Sequence, residues 1–444
     1  MSNYRILRLN GLYGGKDFSS YNNDLELANK SYSEQFNHIV NEGTIYSYGF
    51  IEAMNSLGNE SKELLLDVEI LQKTWAKENG IKFHPAKWEI EILLNQINDF
   101  KPDVVYFANR PDINLTEILK DKCPWVKLFV MFSGAHGTYE NVHDADILFA
   151  GGPKIAAEYR DWGLSPILLY HSFDNIFFEN QNISTNDLNY DLTFYGYVPF
   201  GLRKSTHDNR YFVISELLKR TNIELWSNEY NVATGQYEND GKKYNVSPKT
   251  INKISLKSKL RNIIVDIFFK LFDYHSLIKL KSYDLTPRKV KNIIQEILDT
   301  MKYNSNPTSA VIKKTALRYI YPSRVHMPVY GKKMYEILNQ SKIVFNIHGD
   351  RIRNVVGNLR MFEVTGVGSC LLTDTGSNMS DLFEEDKEVV TYRTVDEAVE
   401  KVNYLLEHPA EAEQIAKAGQ ARALKDHTIM NRCLQIDEVI QKLL

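Results

Sequence analysis

"GNLRMFEVTGVGSCLLTD" (residues 357–374) sets a Gly-x-Gly between a helical segment and an apolar run that ends in Thr373 and Asp374. A dinucleotide-binding fingerprint has the reverse order: strand, then glycines, then a helix whose first N–H groups meet phosphate. Gly366 and Gly368 instead fit the end of a helix and a tight turn into the next strand, a backbone role. At about 100° per residue, Glu363 shares a helix face with Val355, Val356, Leu359 and Phe362. The reading therefore predicts a buried carboxylate, which needs a partner.

The same alternation of helix and short apolar run extends outward in both directions. "RILRL" from Arg5, "DVVYFA" from Asp103, "VKLFVMF" from Val126, "DILFA" from Asp146 and "PILLY" from Pro166 have the form of buried strands. Helical segments begin at Trp88 and Lys154. A second series starts with "YDLTFYG" from Tyr190, a helix from about 208 to 219 and "IELWS" from Ile223. It resumes with "KIVFNIHG" from Lys342, the opening stretch, a short helix from Asn378, "EVVTY" from Glu388, and helices from Val395 and Pro409. Such alternation argues for parallel, doubly wound sheets. The expected organisation is an N-terminal Rossmann-like domain (1–171), a linker (172–189) and a C-terminal Rossmann-like domain (190–410). The latter is interrupted at 228–329, and residues 411–444 form helices packing back toward the first domain.

The 444 residues are 43% hydrophobic and 25% charged, values of a globular chain able to bury sizeable cores. The first residues, "MSNYRILRLNG", lack a targeting signal, and no apolar run approaches the roughly 20 residues of a membrane span. A cytoplasmic protein is expected. Cys123, Cys370 and Cys433 lie far apart without metal spacing, which argues for reduced thiols and against a zinc site. The net charge of −3 conceals an asymmetry: Lys242 to Lys333 contains 20 Lys and Arg against 5 Asp and Glu. Within it, "LKSKLRNIIVDIFFKLF" is an amphipathic pattern with a basic polar face. It suits a helix packed on its domain, a peripheral contact of segment 255–275 with the inner face of a membrane, or an acidic polymer.

In open parallel sheets ligands bind beyond the carboxyl ends of the strands. There the sequence places Gly14 and Gly15, Ser133 to Gly137 with His136, His171, Gly196, His348, Thr373 and Asp374. The helix of the opening stretch is read as starting near Arg353, which would bring Arg351, Arg353, His348 and free N–H groups together as an anion site. Glu363 then either accepts hydrogen bonds from the hydroxyls of a sugar or ribose, or forms an ion pair with Arg360. Asp144-Ala145-Asp146 opens a strand instead of following one and reads as a surface turn. No phosphate-binding loop, nucleophile elbow or zinc-protease motif occurs.

Asn358, Arg360, Phe362, Glu363, Gly366, Gly368, Thr373, Asp374, Asn378, Phe383, Tyr392, His427, Thr428 and Arg432 follow an order and spacing that resembles the CgeB-like group of GT-B glycosyltransferases. Gly196, His207 and Arg210 in "DLTFYGYVPFGLRKSTHDNR" resemble it as well, and the likeness spans most of the chain outside about 228–325. The resemblance implies two Rossmann-like domains facing a cleft, a nucleotide-diphosphate sugar donor (a UDP-sugar) held mainly by the C-terminal one, and no obligatory metal or other cofactor. By position it assigns Glu363 to the donor ribose, Arg203 and Arg210 to the diphosphate, and Asn346 and His348 to the border of the sugar. His136 is the candidate base toward the acceptor hydroxyl of a glycan, lipid-linked or protein acceptor, with a structural loop histidine as the alternative, and His348 is the second catalytic candidate. Val355 stands where many retaining relatives carry a first glutamate eight residues before the second. A GT-B epimerase and a non-catalytic scaffold are the rival readings.

Overall fold

The computed structural model describes residues 3–12, 21, 26–43, 45–108, 115–135, 137–183, 188–200, 207–231, 236–239, 242–245, 316–350 and 354–444. Two compact units result. Met1–Val198, Ser205–Glu229 and Leu317–Leu444 form the first, and Pro199–Lys204 with Tyr230–Ala316 form the second.

The first unit contains two parallel sheets. In one, β1 (Arg5–Asn10), β2 (Glu60–Leu65), β3 (Val104–Phe107), β4 (Leu128–Ser133), β5 (Ile147–Ala150) and β6 (Ile167–Leu168) lie in the order β2-β1-β3-β4-β5-β6. All neighbours are parallel. Alternation along each strand divides the core. Leu7 and Leu9 join Leu93, Ile97 and Phe100 of the helix Trp88–Phe100 on one face. Ile6, Val104, Val130 and Phe149 join Phe50, Ala53 and Met54 on the other. That second face is also covered by Ile429, Cys433, Ile436 and Ile440 of the last helix, Ile429–Gln441. Each such buried side chain contributes about 1.5–3 kcal/mol, enough to hold the chain end against the first sheet. Tyr4 Oη and Asn59 Nδ2 both donate to Asp437 Oδ1, at 2.7 and 2.8 Å, and fix its register.

The second sheet comprises β7 (Tyr190–Phe200), β8 (Glu224–Asn231), β11 (Val325–His326), β12 (Ser341–Asn346), β13 (Cys370–Asp374) and β14 (Val390–Tyr392). Its path runs β8-β7-β12-β13-β14, with β11 parallel to Leu225 and Trp226 of β8. The direction in which successive strands are added reverses between the parallel neighbours β7 and β12, the switch point at which open α/β sheets bind ligands. The second unit is described at β9 (Gln236–Asn239) and β10 (Lys242–Asn245), an antiparallel pair in which β9 also pairs with Tyr230 and Asn231.

Two elements differ from the sequence reading. β2, "ESKELL", was not anticipated; its exposed first half carries charge and hides the strand. The interruption of the second sheet closes earlier than 329, since β11 is back in the sheet by Val325. The closing helices Pro409–Asp426 and Ile429–Gln441 meet at His427, and Thr428 with Asn431 forms a capping box for the second.

The opening stretch resolves its two glycines into different roles. Gly368 has φ +86° and caps the helix Leu359–Val367 in the left-handed conformation. Gly366 lies inside that helix, where a Cβ would stand 2.2 Å from the ring of Phe173. Phe173 belongs to the segment joining the two sheets, and its backbone pairs with the chain around Thr428: its N–H donates to the His427 carbonyl and its carbonyl accepts from the Ile429 N–H, both at 2.8 Å.

Candidate active site

The helix after β12 starts at Leu359, not near Arg353. Asn358 is its cap, with Oδ1 accepting from the Met361 N–H at 3.3 Å. Val355 and Val356 therefore precede the helix. Asn358 also exchanges amide hydrogen bonds with Asn346 at the end of β12, at 3.0 and 3.2 Å. Asn346 Nδ2 donates further to Thr373 Oγ1 at 2.9 Å, and Tyr392 Oη donates to the Asn346 carbonyl at 3.0 Å. Asn378 clasps Val356, accepting from its N–H at 2.8 Å and donating to its carbonyl at 2.9 Å, and donates to Tyr170 Oη at 3.0 Å. The buried amides of Asn346 and Asn378 and the half-buried one of Asn358 thus tie the ends of β12 and β13 to the start of the helix.

His348 lies inside this network. Its Nδ1 is 2.7 Å from Asp374 Oδ1, and its backbone N–H donates to the same carboxylate at 3.0 Å. Its Nε2 accepts from the N–H groups of Gly357 and Asn358 at 3.1 and 3.3 Å. These partners assign the proton to Nδ1. Burial pushes the Asp374 carboxyl up, and the contacts with His348 outweigh it, holding the group below the usual carboxylate value.

Arg210 is buried and braces backbone, donating to the carbonyls of Tyr197 at 3.0 Å and Ile347 at 2.7 Å. Burial lowers it to about 10. In this arrangement its guanidinium holds the β7 and β12 ends together. Gly196 stands within β7, which runs on to Phe200, instead of in a turn after it. Gly14, Gly15, His136, Arg203, Arg351 and Arg353 lie outside the described residues, as does segment 255–275. Asp146 accepts from the Phe129 N–H at 2.7 Å and pairs with Lys120 at 3.3 Å, a structural assignment for that carboxylate. Among the described residues no group of three His, Cys, Asp or Glu side chains could hold a metal ion, and no helix is long and apolar enough to cross a membrane.

Glu363, the fifth residue of its helix, is buried and faces a small cavity of about 50 Å3. The wall includes Tyr46 and Ser47 from the first-sheet side, Asp174 from the connecting segment, and Gly331, Tyr335 and Arg360 from the second-sheet side. Arg360 Nη1 approaches Glu363 Oε2 to 2.7 Å. The approach is off the hydrogen-bonding axis, so charge is compensated while Oε2 accepts no hydrogen bond. The Arg360 guanidinium rests on the Tyr195 ring at 4.2 Å. Burial raises the Glu363 carboxyl, Arg360 opposes the rise, and Asp174 adds to it. The two readings of Glu363, ion pair and ligand acceptor, are thereby compatible: the pair is present and one oxygen retains acceptor capacity.

Sequence reasoning missed Arg8 and Asp174. Arg8 pairs with Glu63 at 3.1 Å and donates to the carbonyls of Tyr46 and Ser47, fixing the cavity wall. Asp174 caps the helix Asn175–Asn180 by accepting from the Phe177 N–H, and it accepts from the Gly49 N–H at 2.8 Å. The capping position of Asp174 was the available signal.

The family model described as "Glycosyl transferase-like" matches residues 295–438. No curated protein matches the chain in sequence. Among solved structures, an alpha-glucosyltransferase in complex with UDP-glucose and DNA containing an abasic site is 11% identical, covers 99% of both chains and has a TM-score of 0.51. An alpha-glucosyltransferase in complex with UDP is likewise 11% identical over 99% of both chains, with a TM-score of 0.50. HepE from Anabaena, in complex with UDP and glucose, is 10% identical over 99% of this chain and 100% of that one, with a TM-score of 0.49. The family match carries the activity, while the two alpha-glucosyltransferase structures and the paired parallel sheets carry the architecture: the protein is a glycosyltransferase of the GT-B fold.

Proposed function

We propose that the protein moves a sugar from a nucleoside-diphosphate donor, a UDP-sugar, to an acceptor hydroxyl without an obligatory metal, as a member of the CgeB-like group. The observation that carries the donor reading is Glu363: a buried carboxylate, paired with Arg360, whose side chain lines a cavity on the first helix after the switch-point strand β12. A cavity of this size admits the hydroxyl-bearing edge of a ligand, not a whole nucleoside, which fits a ribose diol entering from the open side. Two neighbouring hydroxyls satisfy a carboxylate by two charge-assisted hydrogen bonds. UDP in the solved alpha-glucosyltransferase structure supports the choice of base. In this reading Arg203, Arg351 and Arg353 compensate the leaving diphosphate, Gly14 and Gly15 border it, and His136 faces the acceptor. Asn346, Asn358, Thr373, Asp374 and Asn378 hold the donor site's backbone. Peripheral membrane contact through 255–275 belongs to the same proposal, and flotation with anionic vesicles tests it.

Thermal unfolding with UDP, GDP and CMP is the direct experiment. UDP at 100 times its dissociation constant is expected to stabilise the fold by about 2.7 kcal/mol. Glu363→Gln is expected to bind UDP about tenfold or more weakly, the loss of a charged acceptor. If none of the three nucleotides shifts the transition, the donor reading fails; if Glu363→Gln binds as tightly as wild type, Glu363 leaves the site.

A further inference from the structure

We propose that His348 is a positioning residue for the donor site. As the neutral Nδ1–H tautomer, it uses Nε2 to gather the N–H groups of Gly357 and Asn358, and so sets where the Leu359–Val367 helix begins and where Arg360 and Glu363 point. The inference rests on the donor reading above and adds a role that excludes proton transfer at this ring. A general base needs a free lone pair within reach of the proton it takes. Here the Nε2 lone pair is engaged by two backbone donors and the Nδ1 proton by Asp374, and the ring is buried.

The geometry is built for this task. Gly357 has φ +128°, a conformation that favours glycine, and it turns the chain so that two successive N–H groups converge on one atom. Convergent N–H groups before a helix ordinarily bind an anion. An imidazole nitrogen fills that position instead. From there Asn358 caps the helix, and Arg360 and Glu363 follow two and five residues later. The far side of the ring is anchored equally firmly, since Asp374 receives both the Nδ1 proton and the His348 backbone N–H. Arg210 fixes the next carbonyl upstream, that of Ile347.

Two near-isosteric variants separate the halves of the ring. In His348→Gln the side-chain oxygen reaches the place of Nε2 and can accept the two N–H groups, while the contact to Asp374 is lost. In His348→Asn the amide reaches the place of Nδ1 and can donate to Asp374, while the two N–H groups lose their acceptor. UDP affinity by calorimetry, hydrogen exchange at residues 357 and 358, and 15N spectra of histidine-labelled protein are the readouts. Wild type is expected to show His348 as the Nδ1–H tautomer with slow exchange at both amides. His348→Asn and His348→Ala are expected to accelerate that exchange and weaken UDP binding about tenfold or more, the consequence of orphaned buried donors. His348→Gln is expected to recover most of both. An Nε2–H tautomer in wild type, or a Gln variant no better than Ala, overturns the proposal. If wild type ignores UDP while the tautomer and exchange pattern hold, the donor reading is the part that falls, and the assignment of His348 to a donor site falls with it.

Discussion

Gly366→Ala is expected to destabilise the fold by about 2–4 kcal/mol, although alanine in place of glycine inside a helix ordinarily stabilises by about 1 kcal/mol. The sign is set by Phe173. A Cβ at residue 366 would stand 2.2–2.4 Å from three atoms of that ring, far inside any tolerated contact. The ring has little room to withdraw, for Phe173 is fully buried and packs against Phe178 and Tyr335 at 5.6 and 6.1 Å between centroids. Its backbone is equally fixed by the paired hydrogen bonds to His427 and Ile429. Relief therefore has to come from shifting the whole helix Leu359–Val367, which carries Glu363. Urea denaturation of Gly366→Ala, Phe173→Leu and the double variant measures the coupling. The double variant is expected to be less destabilised than the sum of the singles by about 1–2 kcal/mol. Strict additivity would mean that the ring and the glycine do not share this space. Because the helix moves, UDP affinity is expected to fall with stability in the single variant and to recover in part in the double.

Gly366 also shows what the sequence makes legible and what it does not. That glycines after a helix turn the chain into a strand follows from local geometry, and Gly368 does so. That a glycine two residues earlier serves as a seat for a phenylalanine almost 200 residues away is a tertiary fact, and no local pattern encodes it. Strands whose every residue is buried, such as β3 and β4, were readable as apolar runs. β2 was not, because it is an edge strand with one exposed half. Misplacing the helix start had a similar origin: Val355 and Val356 extend the apolar spacing of the helix, yet Asn358 is the cap and Gly357 the turn before it. The carboxylate at 363 and its Arg360 partner were legible from spacing, since three residues bring both to one helix side. The remainder of the cavity wall, from Tyr46, Ser47 and Asp174, comes from segments that only the fold brings near.

Arg8→Met carries the largest expected cost, about 3–5 kcal/mol at neutral pH, because it removes one partner of a buried ion pair and leaves the other charged. Arg8 is 1% exposed and Glu63 5% exposed. They lie on adjacent parallel strands with residues 8 and 63 in register, 3.1 Å apart at the charged atoms. Burial raises the Glu63 carboxyl above its ordinary value, and Arg8, followed by the hydrogen bond from Asn10, pulls it down. Without Arg8 the folded-state value rises further. A carboxyl whose folded value exceeds its unfolded value binds its proton more readily in the fold, so stability is retained at low pH and lost as pH rises through the folded value. The variant is therefore expected to be markedly less destabilised near pH 5 than near pH 8, as measured by urea denaturation at both. Adding Glu63→Gln is expected to flatten that dependence and to return part of the loss, since an amide is cheaper to bury than an unpaired charge. Equal destabilisation at the two pH values would show that Glu63 keeps the same charge state in the folded variant as in the wild-type fold across that range. The site should register the change as well, because the carbonyls of Tyr46 and Ser47 both lose the Arg8 guanidinium, and Asn10 Nδ2, at 3.1 Å, still donates to that of Tyr46. A weakening of UDP binding that persists after Glu63→Gln restores stability would assign that loss to the cavity wall, and so distinguish Arg8's part in shaping the site from its part in holding the sheet together.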